Sequence, residues 1–134
     1  MTRIYLDPEA ATIEGGGDRS PGGGDTSPDA GAVRALRYLV DAGHDVIVVA
    51  AAGQQLPSDL LEVAREAVTE VPEMHDVPAW YLTRDVERCT GLSARVRTVL
   101  IGAAPPSGSV RRCDTVARDV QAAVMEILAA EAMP

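Results

Sequence analysis

The sequence predicts an α/β domain, a three-layer sandwich around a central parallel sheet of about five strands, and two observations carry that prediction. Short β-branched runs alternate with segments whose apolar residues recur at three- and four-residue steps. Two of the runs, 45–51 and 97–102, are almost uninterrupted by polar residues, as expected of strands covered on both faces. Alternation of this kind implies right-handed crossovers, helices on both faces of the sheet, and ligands gathered at the carboxyl ends of the strands.

Arg3-Ile4-Tyr5-Leu6 reads as the first strand, and Asp7-Pro8 stops its pairing, so Asp7 sits at a strand tip. Residues 14–30 follow as a flexible Gly/Pro/Asp-rich loop. They contain Gly15-Gly16-Gly17-Asp18-Arg19-Ser20-Pro21 and its near copy Gly22-Gly23-Gly24-Asp25-Thr26-Ser27-Pro28, a composition that buries no apolar area. From Asp29, Ala32, Val33, Leu36, Leu39 and Val40 mark the inner face of a helix that Gly43 caps. After the 45–51 strand, Pro57-Ser58-Asp59 opens a second helix, with Leu60, Leu61, Ala64, Ala67 and Val68 inward and Pro72 closing it.

Ala79–Thr83 is the next strand, with Trp80 and Tyr81 on opposite faces. A short helical segment over 85–94 leads into the 97–102 strand. A weak strand near 113–116 precedes a last helix carrying Val120, Ala123, Val124, Ile127 and Leu128.

Composition narrows the function classes. The 134 residues suit one domain, 1–134, able to remove roughly two-thirds of its unfolded surface from water. The net charge is −8 and every basic residue is Arg, which excludes an electrostatic footprint for nucleic acid or anionic membrane. No apolar run is long enough to span a bilayer and no secretory pattern opens the chain, so a cytoplasmic protein is expected. Cys89 and Cys113 lack metal-ligand spacing and read as separate, reduced packing thiols. His44 and His75 lie in polar turns and form no nucleophile-base pair, and Arg111-Arg112 reads as a solvated pair.

Three stretches, in order, resemble the haloacid dehalogenase superfamily in its small, capless phosphatase form. Ile4-Tyr5-Leu6-Asp7-Pro8-Glu9-Ala10-Ala11-Thr12-Ile13 is similar to the opening strand and Asp-x-Asp-x-Thr signature. Residues 32–49, with the Ala42-Gly43 turn, resemble the helix and strand of the second motif. Thr98-Val99-Leu100-Ile101-Gly102 resembles the strand that ends in the Gly-Asp metal motif. The resemblance implies a Rossmann-like fold without a cap domain. It also implies a reaction in which a strand-tip Asp attacks phosphorus to form an aspartyl phosphate.

On that pattern Asp7 takes the place of the nucleophile and a magnesium ligand, and Glu9 that of the acid/base residue. Thr12 stands in for the signature threonine, which is Ala11 here, and Arg84 for the phosphate-neutralising Lys. Three other places are lost. The second-motif hydroxyl falls at Ala50, and a register slip gives only Ala51 or Ala52; no Lys exists; and Ala103-Ala104-Pro105-Pro106 replaces the metal-binding acids, Asp114 being the next acid along. Glu9, one methylene longer than Asp, also shifts its carboxyl, and errors near 1 Å cost about a hundredfold in rate. Without metal or Lys the charge on a transferring phosphoryl group is unscreened.

The expectation is therefore a pseudo-phosphatase that binds a partner protein or a small anion, has no cofactor, and leaves a homodimer open. The alternative is a weak phosphohydrolase using Asp7, with magnesium required only in that case.

Overall fold

The computed structural model describes residues 2–11, 30–72, 77–90, 92, 95–102 and 113–132. The first strand is β1 (Arg3–Leu6), followed by a 3₁₀ turn at Pro8–Ala11. Then come α1 (Ala30–Asp41), β2 (Asp45–Val49), α2 (Ser58–Val63), β3 (Glu66–Val68) and β4 (Ala79–Thr83). A 3₁₀ helix at Val86–Cys89, β5 (Val96–Ile101), β6 (Thr115–Ala117) and α3 (Val120–Ala132) complete the described elements.

The strands form one six-stranded sheet in the order β3-β2-β1-β4-β5-β6, and every pairing is parallel. The chain works outward from β1 to β3, returns to the other side of β1 and works outward again to β6. The order thus reverses between β1 and β4, the crevice where such sheets bind ligands. The Rossmann-like α/β class stands, with six strands rather than five.

Strand alternation divides the core in two. Ile4, Leu6, Val46, Val48, Trp80, Leu82, Val99 and Ile101 face one way and pack with buried residues of α1, α2 and α3. Each fully buried Leu or Ile there contributes about 2 kcal/mol. Tyr5, Ile47, Val49, Tyr81 and Val96 face the other way, joined by Val68, Val71 and Leu92. Among the described residues this second face is covered by the 3₁₀ helix and irregular chain, while all three α-helices share the first, so the helices expected on both faces of the sheet lie on one. Trp80 and Tyr81 are both buried, on opposite faces as their alternation requires.

The helix ends follow local rules. Gly43 has a φ of 96°, and the bonds from Gly43 N to Val40 O and from His44 N to Leu39 O, each 3.0 Å, form the double closure that a left-handed glycine allows. Asp119 Oδ1 accepts from Ala122 N at 2.8 Å and caps α3. Along α1, Arg34 and Arg37 are exposed as expected, but Val40, expected inward, is largely exposed at its end.

The sequence-based expectation fails in three further places. The second helix ends at Val63 rather than near Pro72, and Leu61, expected inward, is exposed. Ala64 adopts extended geometry (φ −75°, ψ 136°), and Arg65 N donates to Val46 O at 2.8 Å, which carries 66–68 alongside β2 as the sixth strand. Pairing at the sheet edge overrides the helical spacing of Ala64, Ala67 and Val68. The helical segment expected over 85–94 is described as a single 3₁₀ turn, Val86–Cys89.

The third correction concerns the cysteines. Cys89 and Cys113 are joined in a disulfide, not separate thiols. The fold brings the end of the 3₁₀ helix and the approach to β6 onto the same face, where both sulfurs pack on Leu100 and Val116. Their separation of 24 residues gives no sign of that meeting. The duplicated glycine-rich segment, His75, the 103–106 stretch and Arg111-Arg112 lie outside the described residues. No described helix is long and apolar enough to cross a membrane.

Candidate functional site

The site grows from the parallel register of β1 and β4. Tyr5 pairs with Tyr81 and Leu6 with Leu82, and Asp7 N donates to Leu82 O at 3.0 Å, so the pairing continues one step past the strand. Asp7 therefore shares a face with Tyr81 and Thr83. The Tyr81 hydroxyl donates to Asp7 Oδ1 at 2.7 Å, and the Thr83 hydroxyl donates to Oδ2 at 2.6 Å. Arg88, on the 3₁₀ helix, brings Nη1 to 3.0 Å from Oδ2.

Asp7 is 3% exposed, as a carboxylate can be only when its charge is compensated. Thr83 is itself fully buried and accepts from Asp85 N at 3.1 Å, which ties the cluster to the start of the 3₁₀ helix. The Asp85 side chain accepts from Glu87 N and stands 3.8 Å from Arg88 Nε.

The electrostatics agree with this geometry. Burial, together with the bond to Asp7 and its negative charge, pushes the Tyr81 phenol well above its ordinary range, so the hydroxyl keeps its proton and donates. Arg88 is held still more firmly in its charged form by its bond to Tyr81 and by the charge on Asp7.

Beside the cluster lies a cleft of about 320 Å³ across the tips of β1, β2 and β3, on the Tyr81 face. Val49, Ala50, Ala51, Val71 and Leu92 supply its apolar lining, and Arg88, Glu9 and Glu70 its charged groups. Gln54 is folded back so that Oε1 accepts from Ala51 N at 2.9 Å.

The expected site residues separate on this map. Asp7 and Glu9 both lie at the β1 tip, but Glu9 is exposed on the 3₁₀ turn, and its carbonyl accepts from Arg84 Nε at 2.8 Å. Arg84 thus clamps the turn, and the left-handed Gly102 (φ 119°) at the β5 tip lies close to Arg84 Nη1. Thr12 lies outside the described residues. Asp114 is not among the groups bonded to Asp7 and instead accepts from Thr98 N at 2.8 Å, anchoring the approach to β6.

The strands flanking β1 are β2 and β4, and the 98–102 strand expected to carry the metal motif is one place beyond β4. The groups around Asp7 do not fit magnesium. Its oxygens meet two hydroxyls and a guanidinium, and magnesium wants carboxylate and water oxygens in an octahedron. No group of three or more His, Cys, Asp or Glu side chains converges among the described residues.

Sequence reasoning missed Tyr81, Thr83 and Arg88. Parity would have found the first two: once β1 and β4 are neighbours, residues 5 and 7 face the same way as 81 and 83. No family model matches the chain, and a search of curated proteins finds no match.

Proposed function

We propose that this chain is a non-catalytic domain of the haloacid dehalogenase type, acting in the cytoplasm, that holds a small anion in the cleft beside Asp7. The state of Asp7 is the observation that carries the reading. A carboxylate offers about four acceptor positions. Three are taken here, and the side chain has almost no surface through which phosphorus could be approached. A nucleophile has to present a free oxygen in line with the bond it breaks.

The cleft supports the binding half. Its volume suits a small molecule rather than a protein surface, and the Arg88 side chain, which is 53% exposed, lines it with donors beyond the one spent on Asp7. Ala50 and Ala51 leave open space where the family places a phosphate-binding hydroxyl.

The test is a pair of measurements on the purified protein. With magnesium and a generic aryl phosphate, no turnover above the Asp7→Asn background is expected. Turnover that needs both metal and Asp7 overturns the reading in favour of a phosphohydrolase. Inorganic phosphate at about 10 mM should raise the melting temperature of the wild type and not of Arg88→Gln, since a ligand that binds only the native state stabilises it by mass action. An unchanged melting temperature for the wild type removes the anion.

A further inference from the structure

We propose that the Cys89–Cys113 disulfide is a redox latch on the Asp7 site: oxidised, it holds Arg88 against Asp7, and reduction lets the 3₁₀ helix move and opens the carboxylate to the cleft. The inference rests on the reading of this cleft as the binding site only for its consequence. Its mechanism needs no ligand.

The covalent connection is short. Arg88, the cation on Asp7, and Cys89, one end of the disulfide, are consecutive residues of a four-residue 3₁₀ helix. Such a turn is too short to be stable by itself and is held by its attachments. At its start these are the Asp85 cap on Glu87 N and the bond from Asp85 N to Thr83. At its end they are the bond from the Thr90 hydroxyl to Glu87 O and the disulfide, which ties Cys89 across β5 to the approach to β6. The disulfide is the only covalent one of these. Arg88 and Leu92, on either side of Cys89, both line the cleft, so movement here changes the site and leaves the sheet in place.

The chemistry is a thiol–disulfide exchange with a dithiol reductant. A thiolate of the dithiol attacks one sulfur and the Cys89–Cys113 bond breaks. The second thiolate then attacks the dithiol's own sulfur in the mixed disulfide, the protein cysteine leaves as a thiolate, and the dithiol closes to its ring disulfide. Two electrons and two protons pass to the protein, leaving two thiols. Both cysteines are 7% exposed, so exchange proceeds through local opening of this segment, and a small dithiol is the suitable reagent. In a reducing cytoplasm a disulfide is usually transient and redox-sensing, which suits a latch better than a permanent staple.

The test reads Asp7 directly. Oxidised protein, protein reduced with dithiothreitol, and Cys113→Ser are each exposed to a carbodiimide and an amine, and carboxyl labelling is mapped by mass spectrometry; alkylation confirms the thiol state. Asp7 labelling should rise about tenfold or more in the reduced protein and in Cys113→Ser, because labelling follows the population of the open form. Arg88→Gln should raise it with the disulfide intact, while Asp45 and Glu131 keep their rates.

Equal Asp7 labelling in oxidised and fully reduced protein overturns the latch. So does loss of the circular-dichroism fold on reduction, since the bond then holds the whole domain. A failed phosphate shift with a positive labelling result removes the anion and keeps the latch; the reverse result removes the latch alone.

Discussion

Two carboxylates at opposite ends of one strand are satisfied in almost the same way and serve different ends. Asp7 takes hydroxyl donors from Tyr81 and Thr83 at the carboxyl end of β4. Glu131, in the last turn of α3, takes the Trp80 indole N–H at 3.2 Å near the amino end of β4 and the Thr2 hydroxyl at 2.5 Å. Arg97 lies over the Trp80 ring, 5.2 Å from its centre, so each cluster includes an arginine. The difference is what carries the arginine. Arg97 belongs to a six-residue strand inside the sheet, and Arg88 to a four-residue turn beside a cleft. The Glu131 cluster sews a helix to the sheet, and the Asp7 cluster places a charge pair where the strand order reverses.

The sharpest way to break this comparison is to remove Asp7. Asp7→Ala leaves two buried hydroxyls without their acceptor and Arg88 without its partner, so a loss of about 3 kcal/mol is expected by urea denaturation. A loss below about 1 kcal/mol means that the cluster is not the buried, mutually satisfied unit drawn from the geometry.

Tyr81→Phe isolates one bond of the same cluster and should cost about 1.5 kcal/mol at neutral pH. Its pH dependence carries more information. The folded-state phenol is raised above its ordinary value of 10.0 by burial and by Asp7. The associated stability is present in full below that value and is lost as the pH climbs past it, because the unfolded chain releases the proton first. The gap between wild type and Tyr81→Phe should therefore narrow on the alkaline side. A gap that stays constant to the top of the accessible range means that Tyr81 is not the donor to Asp7.

How much of this was legible in the sequence differs by scale. β1, α1, β2, β4, β5 and α3 each have a periodicity long enough to name them, and the strand-tip position of Asp7 follows from the proline after it. β3 was hidden because nothing local marks its three residues as a strand and Ala67 and Val68 also fit a helical spacing, so its identity comes from β2 alongside it. The disulfide was hidden for the same reason: nothing local to Cys89 or Cys113 specifies the other. Asp7 was found and its condition was not, since its donors lie 74 and 76 residues away. Reading the chemistry required knowing which strand stands beside β1.

Glu131→Gln tests the other half of the comparison and should have the smallest effect, about 1 kcal/mol at neutral pH, because one neutral acceptor remains for Thr2 or Trp80. Burial pushes the Glu131 carboxyl up, but the bonds from Thr2 and Trp80 and the nearby His44 and Arg97 outweigh it and hold it below the ordinary carboxylate range. The sign is opposite to that of Tyr81. Glu131 stabilises the fold above the unfolded-state value, and that contribution is lost as the pH falls through the lower folded-state value. Wild type and Glu131→Gln should therefore converge in acid, where a protonated Glu and a Gln offer Thr2 and Trp80 nearly the same partner. If the two cushion the fold equally at every pH, Glu131 is bound through its shape alone, and the pairing of a charged clamp at one end of β4 with a charged site at the other does not hold.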